Sequence, residues 1–262
     1  MDGYIKLKKH KSAGRERVSG LWPEKAGKMT DKNRVKAESG KKRIFLEMQA
    51  HLLNDDAPSA FFTRFCDAGD LNEYPFSMLS RLKEVPQSPK HHPEGNVWNH
   101  TMLVVDEAAQ KKEKSADPVA FMWAALLHDI GKAETTKNDG GKITAYNHDR
   151  VGALHAKEFL TEFLDENIPA EKVLIDRVTA LVRWHMQILF VVKSMKFADI
   201  KTMREHVDPE EIALLGYCDR MGRLNADRKA ENENLKLFIA KCREWEHGKR
   251  LSKTRRHRTG DS

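Results

Sequence analysis

"AALLHDIGK", residues 124–132, is an apolar run that ends in a histidine, an aspartate, a glycine and a lysine. Val119, Phe121, Met122 and Trp123 precede it, so apolar groups fall on nearly every side of the helix through Leu127. A helix that is apolar all round sits inside a protein. Asp117 is expected as its N-cap, Pro118 at its first helical position and Gly131 just past its end. His128 and Asp129 then lie at a buried helix C-terminus, where a carboxylate meets both desolvation and the negative pole of the helix. A divalent cation would relieve both penalties and take His128 as a neutral imidazole ligand. A His-Asp pair alone describes equally well a hydrogen-bonded histidine beside an aspartate that caps its own backbone.

Working outward, the spacing predicts short amphipathic helices in "IFLEMQAHLL", "SAFFTRFCDAG" and "YPFSMLSRLKEV", then a loop in "PQSPKHHPEGN". Helices follow in "NHTMLVVDEAA", "HDRVGALHAKEFLTEFL", "PAEKVLIDRVTALVRWHMQILFVV" (read as one long helix), "EEIALLGYCDRMGRL" behind Asp208–Pro209, and about residues 231–245. "NDGGKITAYN" reads as a turn or small hairpin. The expected fold is all-α.

The chain has 262 residues, 40% of them hydrophobic, enough for one sizeable core. No run approaches the roughly 18 apolar residues of a membrane span, and the N-terminus lacks the apolar region of a secretory signal. Cys66, Cys218 and Cys242 form no CxxC pair, which excludes a disulfide framework and a thiolate zinc site and favours the cytoplasm. The net charge of +7 is uneven: about +9 in residues 1–43, about +5 in residues 241–262 and about −7 between them. The expected organisation is a basic, disordered segment 1–43, a helical domain 44–245, and a basic tail 246–262. Such tails are either solvated or in contact with nucleic acid.

Other histidines repeat the pattern of His128. His100 and His148 stand at or near helix starts, and His185 sits late in "LVRWHMQ"; Asp219 is a second carboxylate in a largely apolar turn. Four imidazoles and two carboxylates from separate helices, without thiolates, suit Mn²⁺, Fe²⁺, Ni²⁺, Co²⁺ or Mg²⁺ better than structural zinc.

The order His…His-Asp…His…His…Asp, with "HDIGK" intact, resembles the HD-domain metal-dependent phosphohydrolases. The blocks "VPQSPKHHPEGNVWNHTMLVVDEAA", "AALLHDIGK", "YNHDRVGALHAKEFL", "LVRWHM" and "CDRMGR" are most similar to the HD domain of bacterial CCA-adding tRNA nucleotidyltransferases, over about residues 74–224. The resemblance implies a helical HD-domain bundle in which His100, His128, Asp129 and Asp219 bind one divalent metal ion, and His148 and His185 complete a site for a second. It implies that Lys132 meets substrate phosphate. No Gly-Ser or D-x-D signature of a nucleotidyltransferase head precedes residue 74, so a free-standing HD protein without nucleotide addition is expected.

The expected chemistry is phosphoester hydrolysis by a metal-bound hydroxide, since a metal lowers the pKa of its water from about 15.7 towards 7. Asp129 serves there as proton acceptor or orienter as well as ligand, and Lys132 offsets phosphoryl charge. Arg220 and Arg223 contact substrate phosphate or pair with Glu210, Glu211 or solvent. Asp149 is read as a helix N-cap in preference to an orienter of a ligand histidine, and His155 as an ordinary surface or semi-buried residue. His91, His92 and Glu94 either line the pocket mouth or only shape the loop. Trp98 and Trp184 are read as core anchors. The expected substrates are nucleotides or RNA ends (2′,3′-cyclic phosphates or 2′-phosphates); the alternatives are a 5′-nucleotidase or nucleotide-signal hydrolase, and a non-catalytic, metal-stabilised RNA-binding protein. The oligomeric state is left open.

Overall fold

The computed structural model describes the backbone of residues 31–258 and the side chains of residues 40–247. The chain divides into two units, residues 1–39 and 40–262, and the second carries the fold and the site. In chain order the helices are α1 (Asp31–Asn54), α2 (Ser59–Asp67), α3 (Ser77–Ser80), α4 (Val97–Ala109), α5 (Pro118–Leu127) and α6 (Lys132–Thr135). A hairpin of β1 (Lys137–Asp139) and β2 (Lys142–Thr144) follows, paired antiparallel with Asn138 opposite Ile143. Then come α7 (His148–Thr161), α8 (Pro169–Trp184), α9 (Gln187–Val192), α10 (Ile200–His206), α11 (Pro209–Met221) and α12 (Arg228–Arg258). The all-α expectation holds. Among the described residues no helix is long and apolar enough to cross a membrane.

Helix α5 is the axis of the bundle. Ala120 to Leu127 are all buried, and α4, α8 and α11 pack around it. It starts as its sequence dictates: Asp117 Oδ1 accepts the Ala120 N–H at 3.1 Å, and Pro118 occupies the first turn, where a missing N–H costs nothing. Asp208 and Pro209 start α11 in the same way. Trp98 and Trp184 are buried, as core anchors should be. Phe45 stacks on Trp123 at 4.7 Å between ring centroids and on Phe163 at 4.6 Å, which joins α1 to the core.

Three boundaries differ from expectation. Helix α1 begins at Asp31, inside the segment expected to be disordered, and the rest of that segment lies outside the described residues. Lys41 and Lys42, counted there as tail charge, donate from their ammonium groups to the Tyr74 and Phe163 carbonyls. Helix α12 runs on to Arg258 through most of the expected tail, and only residues 259–262 lie outside the described chain. The helix read as continuous over residues 169–192 is broken between α8 and α9. That run contains no internal proline or glycine to announce the break. The break falls at His185, whose imidazole folds back to donate from Nδ1 to the Val182 carbonyl at 2.7 Å, while Gly216 of α11 lets that helix pass close to Ile188.

Candidate metal centre

The ends of α5 and α8 position two imidazoles by one device. The last carbonyls of a helix have no partner in the helix itself. His128 caps α5 and donates from Nδ1 to the Ala125 carbonyl at 2.9 Å; His185 caps α8 and does the same to Val182. His148, opening α7, donates from Nδ1 to the Ala145 carbonyl at 2.7 Å. A carbonyl only accepts, so each of these Nδ1 atoms carries a proton and each ring turns its Nε2 inward.

Asp129 stands between these Nε2 atoms. Its Oδ2 lies 3.2 Å from His128 Nε2 and 3.8 Å from His100 Nε2. Its Oδ1 lies 3.4 Å from His148 Nε2 and 3.9 Å from His185 Nε2. His100 Nε2 is 3.0 Å from Asp219 Oδ1, which closes the ring. All six residues are buried. Two groups of three, His100–His128–Asp219 and Asp129–His148–His185, are spaced so that each could hold a metal ion.

The donor chemistry fits a cation. His128 Nε2 is fully buried and makes no hydrogen bond. His148 Nε2 and His185 Nε2 face each other at 3.2 Å, although both rings have already committed their Nδ1 protons elsewhere. Two neutral rings so tied oppose lone pair to lone pair, an arrangement that a shared cation turns from repulsive to favourable. Burial, reinforced by the neighbouring imidazoles, pushes His185 down to about 4, and burial lowers His148 as well, so both are neutral at pH 7. Burial would raise Asp129, but His128 and Lys132 outweigh it and hold the carboxyl well below its usual range. Asp219 is held down likewise, Arg223 and His100 outweighing burial. His148 and His185 therefore rest as neutral imidazoles beside ionised carboxylates, whereas at His100 burial is outweighed by Asp219 and Glu94, which raise it.

A cavity of about 400 Å³ opens onto Asp129, His148, His185 and Asp219. Lys132 lines it, 2.6 Å from Asp129 Oδ2, and donates to Gln87 Oε1 at 2.7 Å. Arg220 lines it without an ion-pair partner among the described residues, while Arg223 lies 3.6 Å from Asp219 Oδ1. Neither arginine pairs with Glu210, which faces Arg243, or with Glu211, which accepts from Ser115 and Ala116.

Several expectations shift here. Asp149 neither caps α7 nor touches a ligand histidine; Asn147 occupies the cap position, and Asp149 accepts from Arg183 Nη1 at 2.6 Å. Gly131 does not stand just past the end of α5, whose last residue is Leu127 with His128 as its cap. At φ −69° it serves instead for close approach, because a Cβ there would sit 2.8 Å from Gly152 Cα and closer still to the His148 carbonyl. His155 sits near the surface against Glu134, as expected. His91 lines the cavity mouth, but Glu94 does more than shape a loop: its Oε1 lies 3.0 Å from His100 Nδ1 and accepts from His92. Gln87 and Glu94 come from loop segments without periodicity, so no sequence signal marked their roles.

A family model described as the HD domain matches residues 97–235, more than half of the chain. Curated relatives include the multifunctional CCA protein of Methylococcus capsulatus, 46% identical over 36% of this chain and 20% of its own length. Those of Actinobacillus pleuropneumoniae and Aromatoleum aromaticum are 37% and 35% identical over 44% and 55% of this chain, and 27% and 34% of their own. The matches thus span between a fifth and about a third of these relatives.

Proposed function

The chain belongs to the HD domain family of metal-dependent phosphohydrolases, hydrolases acting on phosphoester bonds, and on that premise we propose that its substrates are nucleotides or RNA ends. The reaction is of the 2′,3′-cyclic phosphodiesterase, 2′-nucleotidase or phosphatase type. One observation carries the reading: a carboxylate flanked by four imidazoles opens into a cavity that Lys132 and Arg220 also line. A site that only stabilised the fold would not need two cations facing its opening. The similarity to CCA proteins turns the reading towards RNA. The basic termini suit the same partner, and the three free cysteines suit a reducing cytoplasm.

His100, His128, Asp129 and Asp219 would hold one divalent ion, and Asp129 with His148 and His185 a second. Nitrogen and oxygen donors without thiolate favour Mn, Fe, Ni, Co or Mg. When bound, such an ion lowers the pKa of a coordinated water and draws charge from phosphoryl oxygens. Lys132 exchanges its Asp129 contact for a non-bridging phosphate oxygen as the substrate enters, and Arg220 holds another. The Asp129 carboxylate, freed of the lysine, orients the attacking water and accepts its proton.

Metal-loaded protein assayed against 2′,3′-cyclic nucleotides, 2′- and 5′-mononucleotides and an RNA with a cyclic end is the test. Hydrolysis of the cyclic or 2′-phosphate substrates, abolished in Asp129→Ala with circular dichroism unchanged, is expected. Inactivity across metals and substrates overturns the reading, and hydrolysis restricted to 5′-mononucleotides replaces it with a 5′-nucleotidase.

A further inference from the structure

A second groove, of about 670 Å³, adjoins the catalytic cavity and shares Ala145, His148 and Met186 with its lining. Its size lies within the range of small-molecule sites. Apolar groups that would ordinarily be inside line its rim: Tyr146 is 71% exposed and Phe197 51%. The segment carrying Phe197 is held firmly from beneath. The buried Gln187 donates to the Phe197 carbonyl at 3.2 Å and accepts the Asp199 N–H at 2.9 Å. Lys241 donates to the Val191 carbonyl and to Ser194 Oγ. Ser194 adopts φ +50°, which a residue other than glycine adopts only at a cost. The frame is rigid, and it spends that rigidity on keeping an aromatic ring in water.

The groove is also positively charged. Its carboxylates are committed, Asp149 to Arg183 and Asp199 to the N-terminus of α10. Arg150 and Lys196 have no ion-pair partner among the described residues, and Lys196 stands 5.1 Å over the Phe197 ring. Exposed rings beside free cations are what a single-stranded nucleic acid requires, with bases stacking on the rings and phosphates meeting the cations. A protein partner would bury the rings equally well but would have to bring carboxylates to the same spacing, whereas a nucleic acid carries base and phosphate together.

We propose that this groove binds single-stranded RNA next to its reacting end. Tyr146 and Phe197 stack on bases, and Arg150 and Lys196 meet phosphates. Tyr146 follows Ala145, whose carbonyl orients His148, so a base held there lies at the edge of the metal centre. This assignment rests on the phosphohydrolase reading above and narrows its substrate from a free nucleotide to the end of a strand.

The test uses the full chain, with a fluorescein-labelled hexaribonucleotide in chelator, read by anisotropy, and separately with metal against p-nitrophenyl phosphate. The wild type should bind the oligonucleotide at least tenfold more tightly than a mononucleotide. Tyr146→Ala and Phe197→Ala should each weaken that binding about tenfold, with rescue in Tyr146→Phe. Lys196→Gln should lower its salt dependence, and hydrolysis of p-nitrophenyl phosphate should be unchanged in all of them. Binding that ignores these substitutions, or equal affinity for mononucleotide and oligonucleotide, overturns the groove while leaving the hydrolase reading intact. Oligonucleotide binding without hydrolysis of any ester overturns the hydrolase reading instead. A change in oligomeric state in Phe197→Ala without a change in binding shows the face to be a contact between copies, and overturns the proposal.

Discussion

Glu94 Oε1 lies 3.0 Å from His100 Nδ1, both groups buried, whereas the Nδ1 atoms of His128, His148 and His185 all meet main-chain carbonyls. The rings of His128, His148 and His185 are steered by main-chain carbonyls, which substitution cannot remove. His100 is the ring whose orientation depends on a replaceable side chain.

Glu94→Gln should therefore weaken divalent-metal binding by about 10- to 100-fold, the usual effect of removing such a support, with the fold intact. Isothermal titration calorimetry of chelator-stripped protein with Mn²⁺ measures this. An unchanged affinity would mean that packing alone orients His100.

Metal-free protein should lose stability as pH falls from about 6.5 to about 4. Burial first, then nearby cations, lowers His92 to about 3, and burial first, then neighbouring imidazoles, lowers His185 to about 4. The unfolded chain binds protons in that window that the native state refuses, so stability is complete above 6.5 and drains away below it. Each such histidine contributes about 2 kcal/mol between pH 7 and pH 5. His100, raised in the fold, has the opposite sign: its contribution is present below about 6.5 and is lost only as pH rises above it. Urea midpoints in chelator at pH 7, 6 and 5 should fall steadily, and less steeply in His185→Gln. A flat series would contradict this.

Lys132→Met should lower kcat/KM by about 10²- to 10³-fold, the scale of losing one preorganised charge at a reacting group. Metal affinity should hold or rise, because the ammonium 2.6 Å from Asp129 Oδ2 competes with a cation for that oxygen. A parallel loss of metal binding and turnover would make Lys132 a structural partner only.

Gly131→Ala should destabilise the protein by about 2–3 kcal/mol, since its methyl group runs into main chain with no side chain to move aside. Gly40→Ala, with nothing within 4 Å of the added Cβ, serves as the control and should be neutral or mildly stabilising. Thermal melts of both variants decide it, and equal melting temperatures would refute the close-approach role.

The bundle was legible because α5 is apolar on every side and because Asp-Pro pairs start α5 and α11. Of the six inner residues, His128, Asp129, His185 and Asp219 stand out as ionisable groups in apolar surroundings, His100 and His148 only as histidines at or near helix starts, and the set as a whole was implied by the family resemblance. The break at His185 was not, because it comes from a tertiary arrangement that turns an imidazole inward in a sequence with good helical spacing throughout. Glu94, Gln87 and the Asp149–Arg183 pair were hidden for a related reason. Each partner lies far along the chain or in an irregular loop, where no period relates one residue to the next. Gly131 looked like punctuation and is instead a point of contact, a difference that only the neighbouring helix reveals.

Asp129 and His148 stand on either side of the place where Gly131 meets Gly152, main chain against main chain. The spacing of the α5 end, with His128 and Asp129, from His148 at the start of α7 is thus gauged by backbone, and the donors are fittings mounted on that gauge. Over evolutionary time a lineage can exchange one fitting for another, and with it the preferred metal, while the gauge stays true. The two glycines carry no chemistry of their own, yet they are the positions at which such a lineage has least room to drift.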